Sequence, residues 1–386
     1  MGSSYMVYCI PDLIDPPDSQ PARICLDLER LVPTGWTSEL VGARLDTSGR
    51  ENEMKAVLLK SFGGADVMYL GDREDPVPGT GQVLIRVVTT SVNRPDLIQR
   101  EGNYPPPKGE SDVLGLEVAG TITAVGEGVT QWQEGDRVMG LVGGGAYAEL
   151  ALAWASHLMP VPDGLSWAEA ACICETYITA HLNLFQFPGL ENGQSALLHG
   201  GGGGVNTAAI QLCKTLNPAS PLFVTASAKK TERVAALGVT HVINYQSQNF
   251  PEVIKDLTKG RGVDVILDHI GAAYLASNLK CLAVNGTLVL IGVMGGVKSE
   301  LNLAQLMVRR QKIVGSVLRP RPLDEKAQII ARFADDALNL FKERQIIPLV
   351  DQVFPLEDVC KAHQMMESSE HFGKLVLQVD KTQEVQ

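Results

Sequence analysis

The sequence is short of the features that mark several common classes of protein. Its seven cysteines, at positions 9, 25, 172, 174, 213, 281 and 360, form no C-x-x-C pair, and its seven histidines form neither H-E-x-x-H nor H-x-x-x-H. Scattered cysteines without a secretion signal argue against a disulfide framework and point to reduced thiols in a cytoplasmic protein. The missing histidine pairs remove the usual sequence signs of a catalytic metal, and none is expected. The uncharged stretch at residues 281–297 is broken by Asn285 and four glycines and is too short to span a membrane. No long Lys/Arg block interrupts a net charge of -11, which disfavours nucleic acid and anionic membrane as partners.

What is present suits a large globular protein. A chain of 386 residues, 45% hydrophobic and 20% charged, has material for more than one core, and it carries 38 glycines. Residues 1–53 stand apart: they hold five prolines, four basic and nine acidic residues, and no period of 2 or 3.6. They read as an N-terminal extension without fixed structure, either a relic of the start site or a regulatory tail. They match neither a signal nor a transit peptide.

From Met54 onward the pattern is β-rich, with strands expected at 55–59, 82–88, 115–126 and 136–142, which suggests a compact β-barrel-like unit. Ser166 followed by Glu169 is a capping-box signature opening an Ala-rich helix. After Gly193 strand and helix alternate: strands at 195–199, 221–226, 241–245, 263–269 and 286–292, helices at 205–215, 229–237, 251–258 and 272–283. That alternation predicts a doubly wound parallel sheet and an α/β fold. A helix at 327–342 and a closing strand at 374–379 follow.

The run HGGGGGVNTAAIQL at 199–212 joins an apolar strand to a helix, where a glycine turn and helix N-terminus hold a pyrophosphate. Each glycine costs about 0.5–1 kcal/mol against alanine in ordinary conformations, so five in succession imply a tight turn or a close ligand. Gly201 and Gly203 fill the first two places of G-x-G-x-x-G, with Gly204 and Val205 beside them, but Asn206 replaces the third glycine. Either a small helix shift absorbs Asn206 or it weakens cofactor binding. About twenty residues on, where an acid would bind a ribose 2'-hydroxyl, the run is TASAKK at 225–230. Ser227, Lys230 and Tyr245 suit a 2'-phosphate, which favours NADPH, although lysines at a helix start are often only solvated.

The segments SVNRPD (91–96), GNYPPP (102–107), LGLEVAG (114–120), GDRV (135–138), the glycine loop, IGVMGG (291–296) and GKLVL (373–377) together resemble the zinc-independent medium-chain dehydrogenase/reductases. The likeness is to their NADPH-dependent quinone oxidoreductases, including the tumour-suppressor-inducible branch, and runs in order from Met54 to about Val379. It implies a GroES-like β-barrel catalytic domain from residues 54–178 and 313–380, a Rossmann domain over 179–312 and a tail at 381–386. Zinc-dependent relatives carry His where Leu116 stands and Cys near Asn93, so zinc chemistry is not implied. His199 and His269 are expected to pack at strand ends.

The resemblance further implies that Asn93, Asp96 and Tyr104 line the catalytic cleft. Asn93 and Asp96 serve equally well as a turn and helix cap. Tyr104 either hydrogen-bonds the substrate oxygen or stacks on a planar ring. Gly292, Met294, Phe372, Lys374 and Thr179 are expected to border the nicotinamide. Many relatives carry Ser where Gly203 stands, so that hydroxyl is missing here. The expected activity is hydride transfer from NADPH to quinones. Reduction of enoyl or other α,β-unsaturated carbonyls is the near alternative, and an NADPH-binding protein with little turnover is the alternative from another class. A homodimer or homotetramer is implied, pairing through the edge of the nucleotide-binding sheet.

Overall fold

The computed structural model describes residues 53–385, so the extension expected over 1–53 lies outside the described residues apart from Glu53. In the first part of the chain β1 (Glu53–Leu59) and β2 (Met68–Glu74) form a two-stranded ribbon. They are followed by β3 (Gln82–Val92), α1 (Arg94–Arg100), β4 (Glu117–Val125), β5 (Arg137–Leu141), β6 (Leu150–Trp154) and β7 (Leu158–Pro160). Two short helices, α2 (Trp167–Ala170) and α3 (Thr176–His181), lead into the alternating region.

That region comprises β8 (Ala196–His199), α4 (Gly204–Leu216), β9 (Leu222–Ala226), α5 (Thr231–Ala235), β10 (His241–Asn244) and α6 (Phe250–Leu257). It continues with β11 (Val263–Asp268), α7 (Leu275–Cys281), β12 (Leu282–Leu290), α8 (Leu303–Arg309) and β13 (Lys312–Gly315). Finally α9 (Leu323–Lys342), β14 (Val350–Pro355), α10 (Val359–Ser368) and β15 (Lys374–Gln378) return to the first sheet.

The alternating strands form one parallel sheet in the order β10-β9-β8-β11-β12-β13. The chain winds outward from β8 in one direction and then, from β11, in the other. Such a doubly wound sheet places its ligand crevice at the carboxyl ends of the strands beside the reversal. Its central strands are buried on both faces, which is why Leu197, Leu198, Val224, Ile266 and Leu267 run without polar alternation.

The other sheet, β14-β15-β3-β4-β5-β7 with β6 also on β3, is closed by the end of the chain: β15 pairs antiparallel with β3 and parallel with β14. α9 lays Ile329, Phe333, Ala337 and Phe341, one per turn, into the core shared by α3 and α4.

Four sequence expectations change. The parallel sheet does not end at 312, because β13 pairs with β12 and extends it to Gly315. The Ser166 capping box forms, with Glu169 N–H donating to Ser166 Oγ at 3.2 Å and Ser166 N–H to the Glu169 carboxylate at 2.9 Å, but the helix stops at Ala170. Thr176 Oγ1 instead donates to the Cys172 carbonyl, and α3 starts as a separate helix. β12 begins at Leu282 rather than 286, directly after α7. The described part of the expected tail, residues 381–385, packs back on the protein: Val385 is buried and its carbonyl accepts from the Ala168 N–H.

Candidate functional site

The glycine loop leaves the end of β8 at the reversal point of the parallel sheet. Gly200 takes φ +77° there, a left-handed conformation that side chains resist. A Cβ on Gly201 would lie 2.3 Å from Val224 Cγ1, so only glycine lets the loop pass this close to β9. Gly203, by contrast, has nothing nearer than 3.6 Å. Asn206 is buried and turned back under the loop, where its amide donates to the His199 and Gly200 carbonyls. The third-glycine position is thus used to tie the loop to the strand end, a role that glycine cannot fill.

Beneath the loop, His199 sits between Thr225 Oγ1 at 3.1 Å and Asn278 Oδ1 at 2.7 Å, and Asn278 donates to Asp268. Burial pushes His199 down to about 3 and His269 to about 4, so both are neutral packing groups, as their strand-end positions suggested.

The loop after α10 docks on the glycines: Gly373 N–H donates to the Gly202 carbonyl at 3.0 Å. This brings Phe372 and Lys374 against the cradle, since a Cβ on Gly202 would meet Phe372 and Lys230, and one on Gly204 would meet Lys374 and Thr176. Lys230 Nζ donates to the His371 carbonyl at 2.5 Å. Ser227 precedes the turn that carries Lys230 and its carbonyl accepts from the Lys230 N–H at 2.9 Å, and Tyr245, 44% exposed, follows the end of β10. Arg233, one turn beyond Lys230, lies 4.1 Å over the Phe372 ring and within 3.3 Å of Asp351. Sequence reasoning missed this second cation, although its three-residue spacing from Lys230 was visible. Gly292 packs on His269 and Met294 N–H donates to the His269 carbonyl at 3.1 Å, with the Met294 side chain exposed. Thr179 is half-buried on α3 and its carbonyl accepts from Asn183.

These groups stand where a bound dinucleotide would need them: a glycine cradle too tight for a Cβ at Gly201, the N-terminus of the 13-residue α4, and cations at the cradle's edge. The residues therefore fit the group.

A second cluster lies across the cradle. The β15–β3 register pairs Leu375 with Val92, which sets Lys374 beside Asn93, and the β3–β4 register pairs Thr90 with Val118, which sets Ser91 against Glu117. Lys374 Nζ accordingly donates to Asn93 Oδ1 at 2.5 Å and to Glu117 Oε1 at 3.1 Å. Ser91 Oγ and Asn93 Nδ2 donate to the same Glu117 oxygen at 2.5 and 3.0 Å, and Glu175 N–H takes the other at 2.8 Å.

For Asn93 and Asp96, which the sequence left open between a cleft and a turn with its helix cap, the geometry shows the turn and cap. Asp96 is wholly buried, and its carboxylate accepts from Asn93 N–H at 2.8 Å, Gly115 N–H at 3.2 Å and the Tyr147 hydroxyl at 3.1 Å. Burial pushes it up to about 6, with the hydrogen bonds opposing. It holds the turn and cap and does not line a cleft. Asn93 is also buried, with its amide committed to Lys374 and Glu117.

Tyr104 lies beside this cluster. It is half-buried, and the Arg319 guanidinium lies 5.2 Å from its ring centroid. Burial, and then the negative charge of Glu175, push its hydroxyl up to about 12, so it is a donor at any ordinary pH. Glu175 itself is pushed up to about 8 by burial and then by the Glu117 carboxylate. Glu117 belongs to the LGLEVAG segment, whereas Glu175 and Arg319 carry no motif and only tertiary placement beside Tyr104 reveals them. Leu116, at the place of a zinc-ligating His, is buried and apolar.

The comparisons with known proteins agree with this arrangement. Residues 79–163 match the family profile described as alcohol dehydrogenase GroES-like domain, and residues 204–335 that of zinc-binding dehydrogenase. The chain is 33% identical to the synaptic vesicle membrane protein VAT-1 homolog of Rattus norvegicus, over 84% of each chain. It is 31% identical to a quinone oxidoreductase of Rattus norvegicus, over 84% of this chain and 97% of that protein. Among solved structures, the JamJ enoyl reductase in its apo form matches with a TM-score of 0.77 at 27% identity, covering 85% of this chain and all of that one. A mycobacterial protein complexed with NADPH matches at 0.76 and 29% identity, over 84% of this chain and all of that one. With its GroES-like unit, its doubly wound sheet and its glycine cradle, this chain belongs to the zinc-independent, quinone oxidoreductase-like medium-chain dehydrogenase/reductases, a family of NAD(P)-binding oxidoreductases.

Proposed function

We propose that the protein is an NADPH-dependent reductase whose acceptors are quinones. The observation that carries the nucleotide choice is Lys230 at the edge of the glycine cradle, with no acid at the end of β9, where Ala226 and Ser227 stand instead. Gly201, Gly203, Gly204 and Val205 hold the pyrophosphate, and Ser227, Lys230 and Tyr245 the 2'-phosphate. Gly292, Met294, Phe372, Lys374 and Thr179 frame the nicotinamide. The bound nucleotide supplies hydride; the protein orients the acceptor and steadies negative charge on its oxygen.

Lys230→Ala is expected to raise the dissociation constant for NADPH by about tenfold and that for NADH by less than about twofold, because one charge-assisted hydrogen bond is lost. Equal weakening of both nucleotides in a titration would refute the 2'-phosphate assignment. Tyr104→Phe is expected to lower turnover by roughly 10- to 100-fold if its hydroxyl donates to the acceptor oxygen. Unchanged steady-state turnover would leave the ring with a stacking role only.

The enoyl reductase match favours α,β-unsaturated carbonyls as the second substrate class. Five described cysteines are free thiols, which suits a reducing cytoplasm, and among the described residues no helix is long and apolar enough to cross a membrane. The open edge of β13, with Leu303, Met307 and Val308 exposed on α8 beside it, supports pairing of two copies through this sheet.

A further inference from the structure

Beside Tyr104 the protein contains a buried positive charge that the fold leaves incompletely used. Arg319, in the segment between β13 and α9, is only 8% exposed. Its Nε and Nη2 both donate to the Gly143 carbonyl, at 2.9 and 2.5 Å, which fixes the guanidinium plane. Nη1 is buried and has no protein partner among the described residues. The groups that interact most strongly with its charge are Tyr104, Asp96, Glu175 and Glu110. Asp96 is already bonded three ways, and among the described residues no carboxylate lies within ion-pair distance of Arg319. A desolvated guanidinium with a spare N–H and no counter-ion favours an anionic oxygen brought by a ligand.

We propose that Arg319 is the acceptor-binding residue of this cleft: Nη1 hydrogen-bonds an acceptor oxygen and holds the negative charge that this oxygen gains on reduction. The proposal rests on the reductase reading given above. Hydride addition to a quinone yields the hydroquinone monoanion and oxidised nucleotide, and one proton then completes the hydroquinone. Arg319 stabilises the monoanion between those events and gives up no proton itself. The same contact serves the enolate oxygen that follows hydride addition to an enone, which takes its proton on carbon.

Glu175 sets the pH range of this contact. Facing it are Glu117 on β4, Lys374 on β15, Asp96 on α1, Tyr104 in the loop after α1, Arg319, Lys326 on α9 and its neighbour Cys174. Held up to about 8, its carboxyl is neutral near pH 7 and leaves the Arg319 charge available. Once ionised at higher pH it competes with the ligand for that charge.

The test uses the full-length protein and 2,4-dinitrophenolate, an aryl oxyanion ionised throughout the neutral and alkaline range, with 1,3-dinitrobenzene as the uncharged control. Binding is read by fluorescence quenching, with no turnover required. The expected result is at least about tenfold tighter binding of the oxyanion, a preference that Arg319→Met abolishes. Wild-type affinity for the oxyanion should also decline as pH rises through about 8, and Glu175→Gln should remove that decline. No oxyanion preference in the wild type, or a preference that survives in Arg319→Met, would overturn the proposal. If Arg319→Met fails to fold, a wild-type pH profile unaltered by Glu175→Gln would overturn it equally. An intact Arg319-dependent preference in a protein that fails to oxidise NADPH with every quinone and enone tried would instead sink the reductase reading and leave the anion site standing.

Discussion

Gly201→Val is expected to lower NADPH affinity by about 10- to 100-fold while Gly203→Ala changes it by less than about twofold. A Cβ on Gly201 would meet Val224 Cγ1 at 2.3 Å and both γ carbons of Val234 at 3.1 Å, and both valines are fully buried in the sheet–helix core. Neither can retreat, so the loop must move away from β9. Overpacking of this kind costs about 1–3 kcal/mol, and each 1.4 kcal/mol is about a factor of ten in binding. At Gly203 the nearest atom is 3.6 Å away and the backbone is extended, so a methyl group enters open space. Calorimetric titration of both variants, with circular dichroism to confirm folding, separates the two. Equal losses at both positions would mean that the loop does not hold the nucleotide by the close approach described.

Lys374→Met should be the most destabilising single change in the second cluster. Lys374 and Glu117 are 4% and 0% exposed, and the lysine is the only cation bonded to that carboxylate among the described residues. Removing it strands a buried negative charge among Ser91, Asn93 and the Glu175 N–H, none of which neutralises it. Breaking a buried pair from one side costs about 3–5 kcal/mol. A neutral double variant, Lys374→Met with Glu117→Gln, should recover much of that loss, because the stranded charge rather than the missing attraction is the main penalty. Denaturant unfolding of the two variants decides the matter. A loss below about 1 kcal/mol in the single variant would show that water reaches the cluster and that the pair does not hold β15 on β3.

Much of the fold was legible because its signals are local. Apolar strands of four to nine residues alternating with helices announced the parallel sheet, and the glycine run between β8 and α4 announced where its crevice would lie. The Ser166 capping box was equally readable, but not the helix's end four residues later, where the Cys172 and Ile173 N–H groups turn to the Glu169 and Ala170 carbonyls three residues back. β13 was missed because four residues, Lys312–Gly315, acquire strand character only by pairing with β12.

The site divides in the same way. The glycine run and its place after a strand are legible from spacing and composition. Asn93 and Asp96 stayed open between two readings because an Asn-x-x-Asp sequence looks alike whether it faces a cleft or caps its own turn, and burial with the Asn93 N–H to Asp96 bond decides between them. Asn206 looked like a defect in the glycine pattern, whereas its amide ties two loop carbonyls that a glycine would leave to other partners. Glu175 and Arg319 could not be found at all. Nothing in either sequence neighbourhood states that residues so far apart share one corner with Tyr104, or that one carboxyl there is held protonated near neutral pH.

The most direct test of the account is acceptor-dependent oxidation of NADPH by the full-length protein. The reduced nicotinamide absorbance is followed against ortho-quinones, para-quinones and enones in turn, with NADH and a metal chelator as controls. NADPH oxidation is expected to require an acceptor, to be fastest with a quinone, to be markedly slower with NADH and to be indifferent to the chelator. Tight NADPH binding with no oxidation by any of these acceptors would contradict it and leave a nucleotide-binding protein without turnover.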